Sequence, residues 1–192
     1  MSSDPIRKFN ACLARARQSG APLAEAGALA TADRRGRPSV RFMLLKGADA
    51  EGFVFYTNNR SRKGRELKRN RRVSMAFYWD ATGVQVRVEG PVGEVSVAEA
   101  DDYWAERPRD SQIASAASKQ SAPLASRAKL TAKVRRLKSL FRGLKVPRPA
   151  NWTGYRIIAD RIEFWHRREP RLHHRELYRR RRGVWEKTLL EP

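Results

Sequence analysis

Val84-Gln85-Val86-Arg87-Val88-Glu89 alternates apolar and polar residues without interruption, placing three valines on one face and three polar side chains on the other. A helix cannot separate residues with a period of two, so this segment commits the chain to a sheet with one buried and one open face. Shorter segments of the same kind surround it. Ala28 to Ala32, Ser39 to Lys46, Gly52 to Thr57 and Val73 to Trp79 read as strands ahead of it, and the alternating strand itself runs on to Val97. Asp33 to Pro38 and Gly47 to Glu51 carry turn composition. Near the end, Tyr155 to Trp165, Leu172 to Arg180 and Val184 to Leu190 read as three closing strands, with Gly183 in the last turn.

Helical spacing appears in fewer places. Ile6, Phe9, Cys12 and Leu13 predict an amphipathic helix over 5–18, Ser61 to Asn70 a short polar helix, and 97–106 and 110–118 two more. Leu130, Val134, Leu137 and Phe141 put an apolar stripe on a further helix. The predicted class is mainly β with peripheral helices, an antiparallel barrel closed or nearly closed, in a single domain. Small barrels fill their interiors with side chains, so a cofactor would sit outside the barrel or between subunits.

Forty-one Lys and Arg against 20 Asp and Glu give a formal charge of +21. Such a chain attracts polyanions at low salt. The excess is spread over nearly every segment, however, and a general Arg bias accounts for it as well as a nucleic-acid surface does. No recognised nucleic-acid motif is present, so no specific nucleic-acid partner is expected. Lys129, Lys133, Arg135, Arg136, Lys138 and Arg142 form either a solvated helix face or a polyanion contact. The single cysteine, Cys12, cannot close an internal disulfide, no apolar run approaches a membrane span, and Met1 to Phe9 lacks a signal core. A cytoplasmic protein is expected.

Two places suit an anion. In Glu106 to Ile113, two arginines, Ser111 and Gln112 meet where a helix begins. Ser61-Arg62-Lys63 brings two cations to another helix start, just after Phe55-Tyr56-Thr57. Taken alone, each also fits an ordinary capped helix with solvated basic residues. Arg41 and Lys46 bracket an otherwise apolar strand, as a ligand edge or a solvent edge would. His166, His173 and His174 do not make a metal site: adjacent His173 and His174 on a strand point to opposite faces, with no carboxylate at ligand spacing. No Ser-His-Asp order and no Gly-rich phosphate loop is legible.

Taken in order, Arg41 to Lys46, Phe55-Tyr-Thr57, Ser61-Arg-Lys63, Gln85, Arg107-Pro-Arg-Asp-Ser-Gln112, Ser118-Lys-Gln-Ser121, Phe164-Trp165, Arg171-Leu-His173 and Arg175 resemble the pyridoxamine 5′-phosphate oxidases. The resemblance runs from about residue 6 to Pro192. It implies an FMN-binding split β-barrel that works as a homodimer, with about 20–150 forming the barrel and helices and about 151–192 adding strands to the dimer and active site. Arg41, Phe42, Met43, Leu44, Leu45, Lys46, Tyr56, Thr57, Arg62, Lys63, Gln85, Gln120, Ser121, Trp165 and Arg175 are then expected FMN contacts, Arg62 and Lys63 at its phosphate. Lys46, Tyr103, Arg107 and Ser111 are expected on the substrate phosphate, and Arg171, Leu172 and His173 against the pyridine ring, Arg171 and His173 as the catalytic pair. Arg109, Asp110 and Gln112 are expected to fix the turn that presents their neighbours.

The implied reaction oxidises pyridoxamine and pyridoxine 5′-phosphates to pyridoxal 5′-phosphate, with dioxygen as acceptor and hydrogen peroxide released. Rival readings are a related FMN oxidase of a phenazine precursor and, from another class, a basic nucleic-acid-binding module. Three departures accompany the resemblance: a short arm ahead of the first helix, His174 where Asp is common, and Val84 where Arg is common.

Overall fold

The computed structural model describes residues 4–192; Met1, Ser2 and Ser3, part of the expected short arm, lie outside the described residues. Ten strands and five α-helices are present among the described residues. They run α1 (Pro5–Gln18), β1 (Ala26–Ala32), β2 (Pro38–Leu44), β3 (Gly47–Asp49), β4 (Gly52–Asn58), α2 (Arg62–Arg69), β5 (Arg72–Trp79) and β6 (Val84–Glu94). Then follow α3 (Val97–Glu106), α4 (Arg109–Ala117), α5 (Arg127–Leu140), β7 (Trp152–Ile157), β8 (Arg161–His166), β9 (His174–Arg181) and β10 (Val184–Leu190). The strands are ordered β10-β9-β8-β6-β5-β1-β2, with β7 joining β6 to β4 and β4 joining β3. The alternating segment is thus the hub, because β6 pairs with β5, β8 and β7.

The chain divides into two compact units. The first holds the residues up to Phe55, Glu66–Gly93 and Tyr155–Pro192; the second holds Tyr56–Arg65 and Glu94–Gly154. In the first, the valines of β6 are buried as the alternation requires. Helix α1 starts at Asp4, whose carboxylate accepts from the Ile6 amide at 2.9 Å. It then buries Phe9 edge-on to Phe53 and Phe77, at 5.0 and 5.1 Å between ring centroids. Burying one such ring stabilises the fold by about 2–3 kcal/mol. In the second unit the core is Trp104, Ile113, Val146 and Trp152, and the α5 stripe contributes Val134, Leu137 and Phe141.

Three expected elements need correction. Tyr155 to Trp165 is two strands: the chain bends at Ile158 to Asp160, where Ile158 N–H donates to Pro91 and Asp160 N–H to Glu89, both in β6. The bend lies so close to β6 that a Cβ on Gly90 would sit 2.3 Å from the Ile158 carbonyl oxygen. Gly47 to Glu51 is only partly a turn, since Gly47–Asp49 pairs with β4 and Asp49 then caps the bend by accepting from the Glu51 and Gly52 amides. Strand β9 begins at His174 rather than Leu172, because Arg171 takes a positive φ of 80° and its N–H closes a turn onto Arg168.

Candidate active site

In the second unit, Tyr56 and Thr57 leave β4 and lead into the start of α2. The turn between them is tightly closed: Arg60 N–H donates to Asn58 Oδ1 at 2.8 Å and Gly64 N–H to Ser61 Oγ at 3.2 Å. Gly64 is required there, because a Cβ would meet the Asn59 carbonyl oxygen at 2.4 Å. Arg62 is exposed at the first position of the helix, while Lys63 is buried with its Nζ 3.3 Å from Gln120 Oε1. Thr57 Oγ1 donates to the same oxygen at 3.2 Å. Gln120 therefore joins the strand end and the helix start, with Ser121 next to it at a positive φ of 69°. Two cations at a positive helix end form an arrangement that accepts a phosphate.

Arg107 and Pro108 separate α3 from α4 in the same unit. Gln112 donates to the Trp104 carbonyl at 2.6 Å, Arg109 to the Phe141 and Leu144 carbonyls, and Asp110 pairs with Lys138 at 2.8 Å. These three residues fix the turn, as expected. Arg107 differs in kind. It is half-buried, its guanidinium donates to Ser115 Oγ at 3.0 Å, and among the described residues no carboxylate lies within ion-pair reach of it. Burial pushes its pKa down, with Tyr103 opposing. The Tyr103 ring stacks on Tyr56 at 4.0 Å.

The first unit carries the other expected residues. Register places Gln85 opposite Trp165, and Trp165 opposite Arg175, so the three form one cross-strand row over β6, β8 and β9. The His173 ring lies 4.5 Å from Trp165, and its Nδ1 accepts from the Arg168 amide at 3.2 Å. Arg171 and Leu172 are exposed beside it. Glu163 holds Arg175 through two hydrogen bonds, 3.0 and 2.8 Å, and also pairs with Arg87 at 3.0 Å. His174, the departure from the common Asp, lies 3.5 Å from Glu176 Oε1.

Along β2, Val40, Phe42 and Leu44 are exposed, while Leu45 is buried and Lys46 is exposed beyond the strand end. Arg41 and Met43 alternate with them. Arg41 turns inward and donates to Thr31 Oγ1 and Ser39 Oγ, both at 2.5 Å, and to Glu66 Oε2 at 3.3 Å. Glu66 and Glu163 escaped the sequence reading, since nothing near either in sequence marks it as an Arg partner.

A family model described as pyridoxamine 5′-phosphate oxidase matches residues 14–141, and one described as the pyridoxine 5′-phosphate oxidase C-terminal dimerisation region matches 152–192. The chain belongs to the pyridoxamine 5′-phosphate oxidase family. A pyridoxine/pyridoxamine 5′-phosphate oxidase of Anaeromyxobacter dehalogenans is 51% identical over 98% of this chain and 96% of its own. One of Myxococcus xanthus is 48% identical over 98% and 92%. Among solved structures, PhzG of Burkholderia lata, in complex with tetrahydrophenazine-1-carboxylic acid, has a TM-score of 0.95 at 36% identity, covering 99% of this chain and 93% of that one. A pyridoxamine 5′-phosphate oxidase-related, FMN-binding protein of Nostoc punctiforme shares the fold, with a TM-score of 0.79 at 18% identity over the whole of both chains.

The fold is therefore the mainly β split barrel with peripheral helices, and the chain is an oxidoreductase of this family, whose cofactor is FMN. The residues present fit that cofactor: Arg62 and the buried Lys63 bring two cations to the start of α2, where a phosphate group would be favoured. Among the described residues no cluster of His, Cys, Asp or Glu could hold a metal ion, and no helix is long and apolar enough to cross a membrane.

Proposed function

We propose that the protein oxidises pyridoxamine 5′-phosphate and pyridoxine 5′-phosphate to pyridoxal 5′-phosphate. The observation that carries this reading is Arg107, a half-buried guanidinium with no carboxylate in reach among the described residues and with Tyr103 beside it. A half-buried guanidinium that lacks a carboxylate partner favours an incoming anion, and the phosphate of the substrate is that anion. FMN, when bound, supplies the two-electron acceptor that no side chain provides.

The chain's own groups do the rest. Arg62, Lys63, Thr57, Gln120 and Ser121 hold the cofactor phosphate. Arg41 to Lys46, Tyr56, and the row Gln85, Trp165, Arg175 line the cofactor. Lys46, Tyr103, Arg107 and Ser111 hold the substrate phosphate, and binding energy at that remote end keeps the ring in reacting geometry. Arg171 and His173 act at the ring and Leu172 packs on it. His173 receives the Arg168 amide at Nδ1, which leaves Nε2 as its protonated ring nitrogen when neutral. The alcohol loses two electrons and two protons to give the aldehyde. The amine loses the same to give an imine, which water converts to aldehyde and ammonia. Dioxygen takes up the electrons and protons as hydrogen peroxide.

The match of 152–192 to a dimerisation region supports a homodimer, and the buried Cys12 fits a reducing cytoplasm. The likeness to PhzG favours one second reading, oxidation of a phenazine precursor. The ligand in that complex carries a carboxylate and no phosphate, and a carboxylate also pairs with a guanidinium, so the substrate assay and not Arg107 alone separates the two readings. Peroxide release by the FMN-loaded protein distinguishes the two. Arg107→Ala should raise KM for pyridoxine phosphate by about 2–4 kcal/mol, roughly thirtyfold to several hundredfold, and leave oxidation of unphosphorylated pyridoxine unchanged. Equal losses with both substrates, or turnover of a phenazine precursor alone, would refute the proposal.

A further inference from the structure

Tyr56, Tyr103 and Arg107, assigned above to cofactor and substrate phosphate, all lean on one side chain so far given only a place in the core. Trp152, the first residue of β7, is buried. Its ring lies 5.2 Å from that of Tyr56 at 10° and 6.1 Å from that of Tyr103 at 9°, so the three rings are nearly parallel. The Arg107 guanidinium carbon is 4.8 Å from the Trp152 ring centroid, and Trp104 meets the same indole edge-on at 4.8 Å. Two residues along β7, a Cβ on Gly154 would approach Tyr56 Cε1 to 2.7 Å. The strand thus supplies a large ring for Tyr56 to stack on and omits the side chain that would obstruct it.

We propose that Trp152 is a positioning residue for the substrate phosphate, acting through Arg107, whose further supports are the Ser115 hydroxyl and the Trp104 ring at 5.2 Å. A guanidinium attracted to an indole through its carbon, here 4.8 Å from the ring centroid, does not spend its N–H groups on that contact and keeps them for hydrogen bonds. One of those N–H groups is occupied by Ser115 Oγ at 3.0 Å, which fixes the rotation of the plane. The remaining N–H edge is then oriented before an anion arrives, and pre-organisation of this kind improves binding by reducing what must be ordered on association. An aliphatic residue at position 152 could fill space but could not attract the cation, whereas phenylalanine would keep an aromatic face.

The inference rests on the assignment of Arg107 to the substrate phosphate, and a double-mutant cycle in the FMN-loaded enzyme separates the two claims. The readouts are KM and kcat for pyridoxine phosphate, the Kd of pyridoxal 5′-phosphate by calorimetry, and flavin content. Trp152→Leu should raise KM and Kd about tenfold with kcat within about threefold, and Trp152→Phe should restore both to within about threefold of the parent. In an Arg107→Ala background, Trp152→Leu should add no more than about twofold, since only the Tyr103 ring then remains on that indole beside the substrate phosphate. A full additional loss in that background, a loss confined to kcat, or failure of Trp152→Phe to rescue would overturn the proposal. Should Trp152→Leu not fold, the same cycle with Ser115→Ala decides: its effect on KM must vanish when Arg107 is absent. If Arg107→Ala alone leaves KM for the phosphorylated substrate unchanged, the phosphate assignment fails and the positioning role fails with it; a persistent Trp152 effect without coupling removes the positioning role only.

Discussion

Glu66 is the most informative position for stability, because one carboxylate oxygen gathers a buried polar cluster. Its Oε2 accepts from Thr31 Oγ1 at 2.5 Å, Ser39 Oγ at 2.7 Å and Arg41 Nη2 at 3.3 Å. Glu66→Ala would leave a largely buried guanidinium without its counter-charge and two hydroxyls without their acceptor. Removing one partner of a buried ion pair costs about 3–5 kcal/mol, whereas an exposed pair is worth less than about 1 kcal/mol. The Arg41 side chain is 22% exposed and retains Leu29 O and two hydroxyls as acceptors, so the lower end applies, about 3 kcal/mol. Urea unfolding followed by Trp fluorescence should show a reduced midpoint with an unchanged slope. The paired replacement Arg41→Met with Glu66→Leu should recover stability to within about 1 kcal/mol of the parent, since neither charge is then left alone. A cost below about 0.5 kcal/mol for Glu66→Ala, or a double variant no better than the single, would refute the reasoning.

Three further outcomes follow from the geometry. Gly64→Ala should displace the start of α2 and cost most of the bound FMN, read as lost yellow colour after gel filtration, because its Cβ would lie 2.4 Å from the Asn59 oxygen; full flavin retention would contradict the phosphate grip. Burial, with Lys8 nearby, pushes His166 from its ordinary 6.5 down to about 4. The unfolded chain therefore takes up a proton that the folded chain refuses, so stability is fully present above pH 6.5 and falls as pH drops toward 4. The group is half-exposed, so the loss should be about 1 kcal/mol rather than the full linkage value, and His166→Gln should abolish that part of the pH dependence in thermal unfolding. Arg171→Leu should keep flavin and lose most turnover of pyridoxine phosphate; unchanged turnover would remove Arg171 from the substrate ring.

Local chemistry was the legible part of this chain. The alternation of Val84 to Glu89 and the helical spacing of Ile6, Phe9, Cys12 and Leu13 are short-range patterns, and the structure realises both. The cations at Ser61-Arg62-Lys63 and the turn-fixing residues Arg109 and Gln112 were readable for the same reason. Pairings across the sheet were not. Nothing in sequence says that Gln85 stands opposite Trp165, because that depends on the register of β6 against β8. Arg41 looked like an edge cation, and its inward turn depends on a carboxylate 25 residues away. Trp152, after the Pro-rich break, read as neither core nor site, since its partners come from β4 and α3. The strand expected over Tyr155 to Trp165 failed similarly: apolar residues flank Asp160-Arg161 on both sides, and only the close approach at Gly90 shows the bend.

The central claim is that the half-buried Arg107 awaits a phosphate carried by the molecule that is oxidised. Mixing the FMN-loaded protein with substrate in the absence of oxygen, and following the yellow flavin absorbance, tests it most directly. Pyridoxine phosphate should bleach the flavin quickly, unphosphorylated pyridoxine should do so far more slowly at the same concentration, and readmitted air should restore the colour with one peroxide per flavin. Equal bleaching by the two substrates, or none by the phosphorylated one, would contradict the account.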